Sequence, residues 1–185
     1  MNKYIVLLRG VNVGGKNKIS MPLLKKAMEE SGFSNVSTYI NSGNIIFSSA
    51  QKSILSLQKK CRQIITDTFN LDIAIAVISA KDLSEALDNA PAWWDKDKEL
   101  KHNAFVVIPP ATADSISLLA GEIKPEYEKA AIYGQVIFWT AQLKTFSKTT
   151  WSKFVSKPGY NSITVRNANT MKKLAQLSKE PLCRM

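Results

Sequence analysis

The chain has little from which to build a metal centre, a disulfide framework or a membrane anchor. Among 185 residues there is one histidine, His102, and two cysteines, Cys61 and Cys183. A zinc site draws three or four ligands from His, Cys and carboxylates, and these three residues are too scattered to supply them, so no metal and no cofactor is expected. Cys61 falls in an apolar helical stripe and Cys183 near the end of the sequence, which argues against a bridge between them and for a reducing, cytoplasmic setting. No apolar run approaches the roughly 20 residues of a membrane-spanning helix. The first such run, Tyr4–Leu8, is too short for a signal peptide. Nothing places His102 beside a nucleophile and an acid in a triad, and it reads as a strand-edge residue without partners. Asp95, Asp97 and Glu99 alternate with lysines in a solvated run, which speaks against a metal site there.

Acidic residues are scarce at both ends. Residues 1–28 hold six Lys/Arg and no acid, and residues 129–185 hold ten against one, whereas 29–128 are net acidic. The net charge of +10 therefore sits at the two ends. If the ends meet in space they form one positive surface, which suits an anionic partner; otherwise the charge serves solubility.

Hydrophobic periodicity predicts a central strand over Lys3–Leu8, a helix over Pro22–Ser31 with Leu23, Leu24, Ala27 and Met28 inward, and strands Val36–Ile40 and Asn44–Ser48 around a turn at Asn41-Ser42-Gly43. A helix Ser53–Phe69, a strand Ile73–Ile78 and a helix capped by Ser79 follow. Ala90–His102, with Pro91, Trp93 and Trp94, reads as a connector where the two tryptophans pack. The order then repeats: strand Asn103–Ile108, helix Thr112–Glu122 with Ile116, Leu119 and Ile123 inward, a hairpin Lys129–Tyr133/Gln135–Thr140, a short helix Ser147–Val155, strand Ile163–Val165 and a closing helix from Asn169. Gly43-Asn44-Ile45-Ile46-Phe47 lines up with Gly134-Gln135-Val136-Ile137-Phe138. The expected fold is α+β, two tandem ferredoxin-like (βαββαβ, alpha-beta plait) subdomains, each with an extra helix. The expected division is 1–90, a connector 91–102, a second subdomain 103–180 and a tail 181–185.

Four stretches, Tyr4–Lys18 (YIVLLRGVNVGGKNK), Tyr39–Phe47 (YINSGNIIF), Pro91–Trp94 (PAWW) and Thr164–Thr170 (TVRNANT), resemble domain-of-unknown-function family 1697, an uncharacterised bacterial family. The resemblance implies a cytosolic protein of two ferredoxin-like subdomains and implies no activity.

The stretch Arg9–Lys18 carries three glycines and three cations without an acid, a composition suited to turning backbone N–H groups toward an anion. It satisfies most of the Walker A spacing. It fails at the last position, where Asn17 replaces Ser or Thr, and in context, because Ser20 and Pro22 start the helix too late. In a βαββαβ unit the end of the first strand and the turn between the second and third share one end of the sheet, so Arg9, Asn12, Gly14, Gly15, Lys16 and Lys18 should neighbour Asn41 and Asn44. By the same reasoning Lys148 should share an end of the second sheet with Arg166 and Asn167. These eleven residues are the candidate ligand contacts. The plain structural readings stand beside them: Asn41 and Asn44 as turn residues, Asn167 as a helix N-cap. The expected function is binding of an anion, a nucleic acid or a nucleotide-like molecule, on a basic surface formed by both subdomains. Against RNA, the sequence lacks the RNP1 aromatic pattern. An enzyme or sensor for a small phosphorylated or carboxylated metabolite is the alternative, and a protein-interaction domain the plainest reading. No acid, base or nucleophile presents itself as catalytic.

Overall fold

The computed structural model describes residues 1–180; the tail 181–185, with Cys183, lies outside the described residues. The first repeat runs β1 (Asn2–Leu8), α1 (Met21–Glu30), β2 (Ser34–Tyr39), β3 (Asn44–Ser49), α2 (Ile54–Phe69), β4 (Ile75–Ser79) and α3 (Ala80–Asp88). The second runs β5 (Leu100–Val107), α4 (Ala113–Ala120), β6 (Glu128–Tyr133), β7 (Val136–Gln142), α5 (Thr150–Phe154), β8 (Ile163–Asn167) and α6 (Ala168–Lys179). Each repeat forms its own antiparallel sheet, β2-β3-β1-β4 and β6-β7-β5-β8. This is the ferredoxin-like βαββαβ order with a helix appended, twice over. The chain divides into two compact units, Met1–Ser84 joined by the segment from Lys173, and Glu85–Lys172. Both divisions fall inside helices, α3 and α6.

The register identifies which residues correspond between the repeats. Tyr4, Val6 and Leu8 of β1 and Ile45 and Phe47 of β3 point into the core beneath α1 and α2. Phe105 and Val107 of β5 and Ile137 and Trp139 of β7 do the same beneath α4 and α5. Leu8 therefore corresponds to Val107 and Phe47 to Trp139. Phe138, the letter match to Phe47, points to the opposite face, so the sequence alignment of the hairpins is one residue out of register. A one-residue slip reverses the face of a strand. The faces turned away from the helices are buried as well, through Ile5, Leu7, Ile46 and Ile78 in one sheet and Ala104, Val106 and Phe138 in the other. Strands buried on both faces read as unbroken apolar runs, which is why β1 shows no alternation.

The helices begin where their caps stand. Ser20 caps α1 by accepting from Leu23 N–H at 3.5 Å, and Ser53 caps α2 by accepting from Ser56 N–H at 3.3 Å. Ser79 and Asn167 occupy the same place in the two sheets, opposite Tyr4 and Asn103. Each caps the helix that follows, through Asp82 N–H at 3.0 Å and Thr170 N–H at 2.8 Å. Two expected core residues lie outward: Leu23 and Leu119 are exposed, while Met21 and Ala120 fill the inner faces of α1 and α4.

The helix expected over Ser147–Val155 is broken. Two 3-10 segments, Leu143–Lys148 and Pro158–Ser162, flank the five-residue α5. Pro158 cannot donate to a continuing helix, and the free amides of so short an element need another acceptor. Glu128, 3% exposed, provides it. Its Oε1 accepts from Thr150 N–H at 2.6 Å and Lys124 N–H at 3.3 Å; its Oε2 accepts from Trp139 Nε1–H at 2.8 Å and Trp151 N–H at 3.3 Å. Phe105 stacks on Trp151 at 4.5 Å, and Phe154 packs edge-on against Trp151 at 5.3 Å.

Candidate anion-binding site

After β1 the chain makes a small hairpin. Asn12 N–H donates to Asn17 O at 3.2 Å and Lys16 N–H to Val13 O at 3.2 Å. Gly14 and Gly15 form its tip at φ +59° and +75°. Two consecutive positive-φ residues are the requirement of a tight two-residue hairpin turn. The glycines of the motif thus shape a hairpin tip, and α1 starts only at Met21. A phosphate loop of the Walker type, which runs straight into its helix, is ruled out by that geometry.

The hairpin and the β2–β3 turn meet, as the topology requires. Leu8 N–H donates to Gly43 O at 2.8 Å. Asn12, at φ 55°, spans the junction: its Nδ2 donates to Ile19 O at 2.9 Å and Asn41 O at 2.8 Å, and its Oδ1 accepts from Ile19 N–H at 2.9 Å. Gly43 is pressed so closely that a Cβ would lie 2.6 Å from Leu8 Cβ and 2.7 Å from Val11 Cγ2. Asn44 is fully buried, with Nδ2 donating to Tyr39 O at 2.9 Å and Ser42 Oγ at 3.0 Å. Asn12 and Asn44 are therefore structural joints. Next to them Ile40 is held at φ 50°, a costly conformation for a β-branched residue.

Lys16 and Lys18 are exposed and make no ion pair among the described residues. Arg9 is half-buried, with its N–H donating to Ala74 O at 3.0 Å. Between the hairpin, Asn41 and the start of α1 lies an open cleft of about 430 Å³, lined by Asn12, Gly15, Lys18, Ser20 and Asn41 among others. The first turn of α1 carries no acid.

The second group behaves differently. Arg166 occupies the slot of the first repeat's Ile78, which is fully buried, and is itself only 9% exposed. Its guanidinium donates to Thr164 Oγ1 at 2.9 Å and Val165 O at 2.8 Å. Burial lowers its pKa from 12.5 to about 10. The Asn167 side chain is taken up by its cap. Lys148 is exposed, its ammonium 5.3 Å from the Tyr127 ring centre. Gln142 and Asn167 pair with Leu100 and Asn103 at the N-terminal end of β5, so this group does share one end of its sheet. It is the end opposite to the one the hairpin uses in the first repeat.

The family model described as "Protein of unknown function (DUF1697)" matches residues 1–138. The chain belongs to this family. The match takes in the first three stretches of resemblance and stops short of 164–170. The solved structure of the conserved bacterial protein SP0830 from Streptococcus pneumoniae is 31% identical, with a TM-score of 0.85 over 96% of this chain and 99% of that one. No match was found among curated proteins. No helix among the described residues is long and apolar enough to cross a membrane.

Two features of this family member escaped the sequence reading, the setting of His102 and a cleft beside it, whereas Trp94 was expected to pack. His102 is buried within the central strand β5, its Nδ1 accepting from Asp95 N–H at 3.0 Å and its Nε2 lying 2.7 Å from Asp97 O. Those partners select the neutral ring with the proton on Nε2. Trp94 is buried too, donating to Asn103 O at 3.0 Å and packing edge-on against Phe138. A cleft of about 590 Å³ adjoins them, with Lys96, Lys98 and Lys101 around the start of α6. The one signal in the sequence was the alternation of lysines with acids over 95–101, which reads equally as a solvated face.

Proposed function

We propose that this protein binds a small phosphorylated molecule, of nucleotide-like size, in the cleft between the 12–17 hairpin, Asn41 and the start of α1. The observation that carries this reading is the meeting of Lys18 with an acid-free helix N-terminus on one open cleft. Helix N-termini favour anions through their unpaired amides and the macrodipole, and residues 1–28 contain no carboxylate to compete. The volume, about 430 Å³, falls in the range of small-ligand sites. Lys16 on the adjoining hairpin adds a second, adjustable cation.

Nucleic-acid binding of the RNA-recognition kind finds less support. That mode stacks bases on aromatic residues of an open sheet face. Here Tyr4 and Phe47 stack on each other at 5.7 Å in the helix-side core, and the other face is buried. Catalysis also lacks support, because the Ser20 hydroxyl serves the α1 cap and the cleft is lined by no carboxylate, imidazole or thiol. Binding or sensing is the reading we favour over an enzyme.

Calorimetric titration with inorganic phosphate, nucleoside monophosphates and sugar phosphates tests it. Lys18→Ala should weaken the best ligand about tenfold, the loss of one charge-assisted hydrogen bond, and Lys16→Ala should weaken it less. A Lys18→Ala protein that binds as well as the parent would remove the cleft from consideration. Tight binding of a single-stranded oligonucleotide, untouched by either substitution and steeply salt-dependent, would point to a nucleic acid held elsewhere.

A further inference from the structure

Where the loop before β5 meets the open end of the β6–β7 hairpin there is a second, smaller cleft of about 220 Å³, lined by Asp97, Glu126, Glu128, Lys129, Thr140 and Gln142 among others. We propose that it is a binding site for a primary alkylammonium group.

Two independent observations lead there. The first is a vacant acceptor. Thr140 is 2% exposed and its Oγ1 has no hydrogen-bond partner. A buried hydroxyl without a partner is costly, and native structures leave few of them unexplained. The second is charge. The chain has 25 Lys/Arg against 15 Asp/Glu, yet neither Asp97 nor Glu126 is held in an ion pair among the described residues. Lys129 borders the same cleft and pairs with neither. Glu128 is no longer available, since its two oxygens already take four donors.

The acceptors that remain are the Glu126 carboxylate, the second oxygen of Asp97, whose Oδ1 already accepts from Glu99 N–H at 3.0 Å, and one hydroxyl. An alkylammonium carries three N–H donors and no acceptor, which matches that set in number and sign. A guanidinium would bring five donors in a rigid plane, more than the cleft can satisfy. A metal ion fits poorly: among the described residues no group of three His, Cys, Asp or Glu is placed to hold one. The ammonium could belong to a free polyamine or to a lysine side chain of another polypeptide. This site shares no residue with the phosphate cleft, and the two proposals stand or fall separately.

Amide chemical shifts of the full chain would be followed at low ionic strength during titration with spermidine and, separately, with Nα-acetyl-lysine methylamide. Shifts at Asp97, Glu126–Lys129 and Thr140–Gln142 are expected with at least one of them. Preference for spermidine assigns a free amine, and preference for the lysine derivative assigns a peptide side chain. Glu126→Gln and Asp97→Asn should each weaken binding about tenfold, the effect of removing one charged acceptor. Thr140→Val has a signature of its own. It should raise the melting temperature of the unliganded protein by about 2–4 °C, by deleting the orphaned hydroxyl, while weakening amine binding. Failure of both amines to perturb these residues would overturn the proposal. So would full affinity in both carboxylate variants, or a Thr140→Val protein unchanged in melting temperature and affinity alike.

Discussion

The same position in the two repeats is filled in opposite ways. Between the third and fourth strands the first repeat has α2, sixteen residues without Gly or Pro, its apolar stripe Leu57, Cys61, Ile64 and Ile65 laid on the sheet. The second repeat has three short helical pieces in that place. A continuous helix satisfies its own backbone, whereas a broken one must find acceptors from outside. The second repeat finds them in the Thr149 hydroxyl and in a buried carboxylate, Glu128, and replaces the apolar stripe with the rings of Trp151 and Phe154. One topology is thus stabilised locally in one copy and by a long-range polar anchor in the other.

That contrast makes Glu128 the most sensitive point. Glu128→Ala should destabilise the protein by roughly 3–5 kcal/mol, because several buried donors lose a charged acceptor together. Denaturant unfolding with near-ultraviolet dichroism of the tryptophans would measure it, and a loss below ~1 kcal/mol would mean that α5 does not depend on the carboxylate.

The hairpin glycines give the next comparison. Gly43 and Gly134 both have positive φ, but a Cβ at Gly43 collides with Leu8 and Val11, while nothing lies within 4 Å of one at Gly134. Gly134→Ala should cost about 1–2 kcal/mol, the left-handed penalty alone. Gly43→Ala should cost roughly 2 kcal/mol more, as overpacking adds to it. Equal costs would refute the close approach of hairpin and turn.

Cys61 gives the smallest effect. Burial pushes its thiol from 9.0 up to about 12, Lys60 opposing weakly. The unfolded thiol ionises first, so the stability this group contributes is intact below pH 9. It then falls as pH rises toward 12, by up to about 1.4 kcal/mol per unit. Arg166, lowered from 12.5 to about 10, acts in the opposite sense above pH 10. Between pH 9 and 10 the loss should therefore be visible in the parent and missing from Cys61→Ala. Parallel pH profiles would show that the buried thiol contributes nothing to that decline.

Periodicity and caps made the repeated βαββαβ order legible, down to β1 as a central strand and Ser79 and Asn167 as caps. The meeting of loop and turn followed from strand direction alone. The letter match between Phe47 and Phe138 supported the repeat through an accidental register, and the true counterpart, Trp139, shares the face and the aromatic character of Phe47 but adds an N–H that Glu128 accepts. Arg166 shows a second limit. A cation at the end of a strand reads as a ligand contact, and only the register reveals that it fills an isoleucine's place. The hidden roles of Glu128 and His102 depend on partners many residues away or on burial, and no local pattern marks either.

The unit to which β1 belongs is discontinuous in sequence, since it includes the segment from Lys173 onward, and Lys3 Nζ reaches Glu180 O at 2.6 Å. On the ribosome, where chains emerge N-terminus first, the half begun first is completed last: the span 85–172 is fully synthesised before the opening strands receive their final helical turns. A single cut after residue 84 would therefore divide the gene into halves of which only the second retains all its own parts.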